Sequence, residues 1–123
     1  MNVLIENLFT TVPEFKSLID EQFEEETIFV FETFSTYLKD KIKNEDATGT
    51  VEKSCQFINE LVNNKFSLIE DKGFDEFLIY DLFEPLVSSK KCNDQAKKLL
   101  KNRALELYDE SIKKNAGRAN TED

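Results

Sequence analysis

The sequence has no histidine and no tryptophan, and only three glycines and two prolines among its 123 residues. Without histidine, the chain lacks the usual general base near neutral pH and a common zinc ligand. Ser-His-Asp triads and Glu-x-x-His di-iron motifs are therefore excluded, and the sequence also lacks a glycine-rich phosphate loop and a correctly spaced EF-hand loop. We expect a protein that is not an enzyme and that binds no metal and no cofactor.

Cysteine is also scarce, with Cys55 and Cys92 far apart and outside any paired metal-ligand motif. Both are expected to be reduced residues of a hydrophobic core. Long apolar runs are missing too, because no stretch approaches the roughly 18 residues that a membrane span needs. The first residues, MNVLIENLF, lack the basic segment and long apolar core of a signal peptide. Together these absences predict a cytoplasmic protein that does not enter a membrane.

Apolar residues, by contrast, are plentiful. They make up 40% of the chain, and eleven of them are phenylalanines. Their helical spacing and the scarcity of glycine and proline favour helices over strands. We predict an all-α fold, a single compact bundle of about five to seven helices, for which stacked helical hairpins are one arrangement. Residues 1–114 are predicted to form this domain, and residues 115–123 a flexible C-terminal tail without apolar periodicity.

Residues 23–42 carry the strongest apolar stripe of the chain. One broad helical face holds Val30, Phe31, Phe34, Leu38 and Ile42. Phe29 points away from this stripe. It is therefore either a second packing contact or an exposed anchor for a partner.

Residues 74–87 are apolar nearly all round, which indicates a central helix packed on several sides. Pro85 is expected to kink or stop this helix near Glu84. Asp81 lies among the apolar positions, and it must be paired, capped or at the rim because an unpaired buried charge is costly.

Short-range signals predict where several helices begin and end. Thr11 and Glu14 fit a capping box for a helix reaching about Phe23, and Thr50 is a predicted N-cap. Gly73 suits the left-handed position after a helix. Asn93 or Asp94 is predicted to cap a last helix that runs to about Lys114.

Charge is unevenly distributed along the chain. The net charge is −9 and the isoelectric point about 4.6. Residues 1–88 hold nineteen acidic residues and seven lysines, whereas residues 89–123 hold six acidic and nine basic residues. Nucleic acids and anionic membranes are therefore disfavoured as partners, and a basic protein is favoured. Plain solubility is the alternative explanation of the acidity.

Acidic residues gather before the aromatic stripe and again near Gly73. We call Glu21, Glu24, Glu25 and Glu26 the glutamate cluster; a solvated helix junction is its simplest explanation. If the acidic face binds a partner instead, the candidate residues are Glu21, Glu24, Glu25, Glu26, Phe29, Glu32, Asp71, Asp75 and Glu76.

The segments VPEFKSLIDEQFEEE, FETFSTYLKDKI and FINELVNN…LFEPLV resemble, in general character, small acidic bacterial immunity proteins. The resemblance is closest to those paired with contact-dependent growth-inhibition toxins. It implies an antitoxin that binds one cognate toxin, often a basic RNase or DNase, and blocks its active site; it assigns no individual residue. Two alternatives remain: a helical adaptor or scaffold that binds a peptide or partner helix in an apolar groove, and a homodimer that buries surplus phenylalanines.

Overall fold

The computed structural model describes residues 3–63 and 68–123. The first part holds α1 (Val3–Thr11), α2 (Pro13–Lys16), a 3-10 turn (Glu21–Phe23), α3 (Thr27–Lys43) and α4 (Thr50–Leu61). The second begins with an antiparallel hairpin of two short strands, β1 (Leu68–Ile69) and β2 (Lys72–Gly73). One continuous helix follows, composed of α5 (Phe74–Glu76), a π-helical segment (Phe77–Phe83) and α6 (Glu84–Val87), before α7 (Lys90–Leu99) and α8 (Asn102–Lys114). The all-α prediction is confirmed.

Helix α3 lies at the centre of the core. All five residues of its predicted apolar stripe are buried, which confirms that prediction. The stripe packs against α4, α7 and the helix of residues 74–87. Edge-on aromatic contacts join α3 to the helix of residues 74–87 and to α2, with ring centroids 5.2 Å apart for Phe31 and Phe77 and 5.4 Å apart for Phe15 and Phe34. Each such buried ring contributes roughly 1.5–3 kcal/mol through removal from water.

The helix of residues 74–87 is buried on most sides, as its apolar sequence predicts. It does not stop at Glu84 but passes through a π-helical segment, in which the Glu84 N–H donates to the Ile79 carbonyl. Pro85 has no N–H to donate, so the α-helical hydrogen-bond pattern cannot run through it. Two neighbouring hydroxyls donate to carbonyls of this segment, Ser35 Oγ to Leu82 O at 2.5 Å and Ser111 Oγ to Ile79 O at 2.8 Å.

The predicted capping box and the predicted Thr50 cap are wrong. Helix α2 begins after Val12 without a side-chain cap and ends at Lys16. Glu14 Oε1 instead accepts a 2.9 Å hydrogen bond from Thr50 Oγ1, and Gly49 takes the N-cap position of α4. Contacts between α2 and α4 therefore outweigh the local capping signal.

The left-handed conformation predicted for Gly73 is also wrong. Gly73 has an extended backbone, with φ −60° and ψ 148°, and it precedes α5 instead of following a helix. The left-handed residue of this region is Glu70, with φ 56°, in the turn of the hairpin. The chain therefore reverses direction at Glu70.

The predicted last helix is divided into α7 and α8. Helix α7 starts after Ser89, whose Oγ accepts from the Cys92 N–H at 3.2 Å, so Asn93 and Asp94 are not its caps. At the break, Asn59 of α4 accepts from the Lys101 N–H at 2.8 Å and donates to the Leu99 carbonyl at 2.9 Å. One amide side chain thus satisfies backbone groups that the interruption leaves outside a helix.

The C-terminal tail, predicted to be flexible, makes polar contacts with other parts of the chain. Residues 115–120 form turns, and Glu122 forms a parallel bridge with Ser89. The Glu122 N–H donates to Ser88 O, and the Lys90 N–H donates to Glu122 O, both at 2.7 Å. Polar backbone contacts therefore hold the tail where apolar side chains do not.

In residues 3–63 and 68–123, no helix is both long enough and apolar enough to cross a bilayer.

Candidate functional site

The N-terminus of α3 is where acidic segments of the chain converge. Ile28, in the first turn, donates its N–H to Glu70 Oε2 at 2.9 Å. This bond brings the hairpin turn against the start of α3. Glu70 is not among the residues predicted from the sequence, because its separation of 42 residues from Ile28 hides the contact from any local pattern.

The glutamate cluster surrounds the same helix end. Glu21 begins the 3-10 turn, and Glu26 is the N-cap residue of α3, although its side chain makes no capping bond. Glu24 is half-buried, and the other three are exposed. The positive end of the α3 dipole stabilises carboxylates placed here.

The glutamate cluster forms no salt bridge with the described part of the chain. The carboxylates that do form salt bridges there are those of Glu14, Asp75, Asp81, Glu84, Asp94, Glu106, Glu110 and Glu122. Among the described residues, the helix dipole is therefore what compensates the charge of the cluster.

Phe29 lies on α3 next to the glutamate cluster. Its ring centroid is 4.9 Å from that of Phe23, which is half-buried. The residue is nevertheless 43% exposed, and it is the only phenylalanine classed as exposed among those in residues 3–63 and 68–123. Phe29 thus has a packing contact on one side and an open face on the other.

Glu32 lies one turn after Phe29 and faces a second group of charges. Asp81 is 7% exposed, and its Oδ2 lies 2.8 Å from Lys72 Nζ. Burial, followed by the negative charge of Asp81, raises the pKa of Glu32. The hydrogen bond that Lys72 donates to Asp81 raises the pKa of Lys72, with smaller effects from the negative charges of Glu32 and Glu76. In the described part of the chain, Lys72 therefore pairs with Asp81 alone, and the negative charges of Glu32 and Glu76 act on it from a greater distance.

Lys72 was not among the predicted site residues. The requirement that Asp81 have a partner was the signal for it, and the hairpin supplies that partner nine residues earlier in the chain.

Asp75 lies in a different environment from the other predicted site residues. Its Oδ2 is 2.7 Å from Arg103 of α8, and Arg103 also pairs with Glu106 at 3.2 Å. Asp71, by contrast, is exposed in the hairpin turn. The glutamate cluster therefore lies beside Phe29. Glu32 and Glu76 lie near Lys72, whereas Asp75 pairs with Arg103 of α8.

A groove of about 550 Å³ lies between α8 and the helix of residues 74–87. Its apolar lining is Ile79 and Leu107, and its remaining lining is charged. The charged lining residues are Asp75, Arg103, Glu106, Asp109, Glu110 and Lys113. The groove is therefore unlike the apolar groove that a helix-binding adaptor needs.

The reactive chemistry of the described residues is limited. Both cysteines are free and buried, and burial raises the pKa of the Cys55 thiol to about 12, so little thiolate forms at neutral pH. Within residues 3–63 and 68–123, no three potential metal ligands among His, Cys, Asp and Glu are grouped closely enough to hold an ion. What the region around α3 offers is negative charge beside an exposed aromatic ring.

No protein-family model, curated protein or solved structure matches this chain, so its function has to be inferred from its own surface.

Proposed function

We propose that this protein is a cytoplasmic immunity protein that binds and neutralises a basic nuclease toxin. The observation that carries the proposal is the glutamate cluster, unpaired among the described residues, beside the exposed ring of Phe29. Neutralisation in this mechanism needs no catalysis, because the protein acts by occupying the toxin's substrate cleft.

Electrostatics gives the first step of the mechanism. A nuclease holds phosphates with basic side chains, and carboxylates can take the place of those phosphates. The net charge of −9 attracts a cationic surface over several ångströms and raises the association rate. Because exposed charges are screened by salt, the association rate is expected to fall as ionic strength rises.

Apolar contact gives the second step. Aromatic residues are enriched at interface centres, where they fill pockets and exclude water. Phe29 stands at the edge of the glutamate cluster, and Phe23 supports its inner face. We therefore assign Phe29 the role of anchor within a ring of carboxylates.

Glu32 gives the interface its third component. Its carboxylate is partly removed from water and lies near the negative charge of Asp81. Lys72 already pairs with Asp81. An arginine or lysine of the toxin would supply the cation that Glu32 lacks.

The test is binding to, and inhibition of, a basic nuclease toxin encoded beside this gene. Replacing all four glutamates of the cluster with glutamine should weaken binding by about 100-fold, mainly through faster dissociation. The salt dependence of binding should be lost as well. The matched control replaces four exposed carboxylates on α1, α4 and α8: Glu6, Glu52, Glu60 and Asp109. It changes the net charge equally and should weaken binding by only a few-fold.

An equal loss of affinity in both variants would show that net charge matters and the position of the cluster does not. Absence of tight binding to any adjacent basic toxin would overturn the proposal as a whole. Phe29→Ala adds a separate measurement, with Leu18→Ala as its control because Leu18 is 57% exposed. Only the Phe29 variant should lose affinity.

The adaptor alternative takes second place because the large groove beside α8 has a mainly charged lining. The homodimer alternative rested on surplus phenylalanines. Those at positions 15, 31, 34, 57, 74, 77 and 83 are buried in the chain's own core, and Phe66 lies outside the described residues.

A further inference from the structure

The C-terminal tail, residues 115–123, is attached to the rest of the chain at separate points. Arg118 Nη1 lies 3.0 Å from Glu84 Oε1 of α6. Asn120 accepts a 2.9 Å bond from Asn93 Nδ2 and donates its N–H to Val87 O at 3.2 Å. The Asp123 carbonyl accepts a 2.6 Å bond from Ser89 Oγ, and Glu122 is attached through both its backbone and its side chain.

The carboxylate of Glu122 lies among two ammonium groups and one hydroxyl group. Its Oε1 lies 3.1 Å from Lys39 Nζ and 2.9 Å from Lys43 Nζ. Lys39 Nζ also bonds Ser88 Oγ at 3.1 Å, which brings the hydroxyl into the same group. Hydrogen bonds from Lys43, Lys39 and Ser88 lower the pKa of Glu122 to about 2. Both the short distances and the positive charges of the two lysines favour a carboxylate bound at these donors.

We infer that Lys39, Lys43 and Ser88 form a carboxylate-binding site whose ligand is Glu122 of the same chain. The tail is thereby a latch that joins the end of α8 to α3 and to the α6–α7 junction. This inference does not depend on the proposed toxin partner.

Two features make the latch able to open without unfolding the core. No residue of the tail is buried, so little apolar contact is lost when the latch opens. The side chains of Glu122 and Lys43 are 41% and 37% exposed, so dissolved ions reach the pair and weaken it. Salt should consequently open the latch while leaving α3 packed.

Amide hydrogen exchange of the full chain measures the latch directly. The informative N–H groups are those of Asn120, Lys90 and residue 122, which all bond across the tail contact. In Glu122→Gln these amides should exchange about ten-fold faster than in the native chain, while core amides of α3 stay protected. The matched control is Glu110→Gln, because Glu110 has only a 4.0 Å pair with Lys114, and it should leave the tail amides unchanged.

Charge-reversal variants test whether the ion pairs of Glu122 hold the tail or whether its other contacts are enough. Lys39→Glu with Lys43→Glu should open the latch, and adding Glu122→Lys to that pair should restore much of the protection. In the native chain, raising salt from about 0.05 to about 1 M should speed exchange of the tail amides, whereas Glu122→Gln should show little further effect. Native exchange rates in Glu122→Gln, or no recovery in the triple variant, would overturn the inference.

Discussion

The two halves of α3 meet opposite charge environments. At its C-terminal half, Lys39 and Lys43 both pair with Glu122 of the same chain. At its N-terminus, the glutamate cluster lacks a cationic partner among the described residues. The helix dipole favours the sign of charge found at each end, so it explains why both arrangements are tolerated. It does not explain why only one end has a counter-ion.

This difference separates structural charge from charge that is available for binding. The lysines at one end form bonds that secure the tail, and their charge is used inside the fold. The glutamates at the other end leave their charge exposed to solvent and to partners. The pair of Asp81 and Lys72 lies between these extremes, because Asp81 is buried and Lys72 half-buried, and the charges of Glu32 and Glu76 also act on Lys72.

The largest expected effect comes from removing the one cation at that intermediate site. Lys72→Met should lower the free energy of unfolding by about 2–3 kcal/mol, because Asp81 would stay buried without a partner. Urea unfolding measures the change. The double variant with Asp81→Asn should recover part of it, and a loss below about 0.5 kcal/mol in the single variant would show that Asp81 finds water or another donor.

Glu70 connects the hairpin to the open end of α3, and its removal should have the next largest effect. Glu70→Ala should destabilise the fold by about 1 kcal/mol, because the Ile28 N–H loses its acceptor at the helix N-terminus. Asp71→Ala, in the same exposed turn, is the control and should change stability little. Equal unfolding midpoints for the two variants would contradict a capping role for Glu70.

The pH dependence should have opposite signs at Glu122 and Glu32. The pKa of Glu122 is lowered from 4.5 to about 2, so its stabilising contribution is present above 4.5 and is lost as pH falls towards 2. The pKa of Glu32 is raised, so its charged form costs stability at neutral pH and this cost disappears as pH falls below 4.5.

Glu122→Gln should therefore lower the free energy of unfolding at neutral pH, and Glu32→Gln should raise it slightly. Both differences should shrink on acidification, as measured by denaturant unfolding at a series of pH values. Effects of the same sign at neutral pH would contradict the contrast between the two sites.

The smallest effect on stability should come from the glutamate cluster. Replacing its four members with glutamine should change the free energy of unfolding by no more than about 0.5 kcal/mol, because no salt bridge is lost. A clear gain in stability would show that self-repulsion is being tolerated, which strengthens the case for a binding role. A clear loss would instead indicate a structural role through the α3 dipole, and thermal unfolding distinguishes the two outcomes.

Apolar periodicity predicted the framework of the fold well. The α3 stripe and the all-round apolar helix of residues 74–87 are buried as expected, because removing a large side chain from water outweighs most local preferences. Asp81 was also correctly expected to need a partner, which proved to be Lys72.

Helix ends were predicted poorly because capping groups found partners far away in sequence. Glu14 bonds Thr50 of α4 instead of closing its own helix. Asn93 does not cap α7 but bonds Val87 O and accepts from Tyr108 Oη. A polar side chain has several acceptors within reach in a folded chain, and local spacing does not indicate which one it takes.

The sequence named candidate site residues but could not indicate how they are grouped in space. The glutamate cluster and Phe29 adjoin each other because they are close in sequence. The charges of Glu32 and Glu76 both act on Lys72, which the hairpin brings next to Asp81, whereas Asp75 pairs with Arg103 of α8.

Residue order alone dictates an acidic, mainly helical chain with most of its described phenylalanines inside, since composition and periodicity act on every residue through the same hydrophobic effect. The tertiary structure, by contrast, decides which charged residues form ion pairs. Lys39 and Lys43 have Glu122, and Asp81 has Lys72, because helix packing and a folded-back tail bring distant residues together. Such pairings depend on distances of a few ångströms, which no one-dimensional pattern specifies.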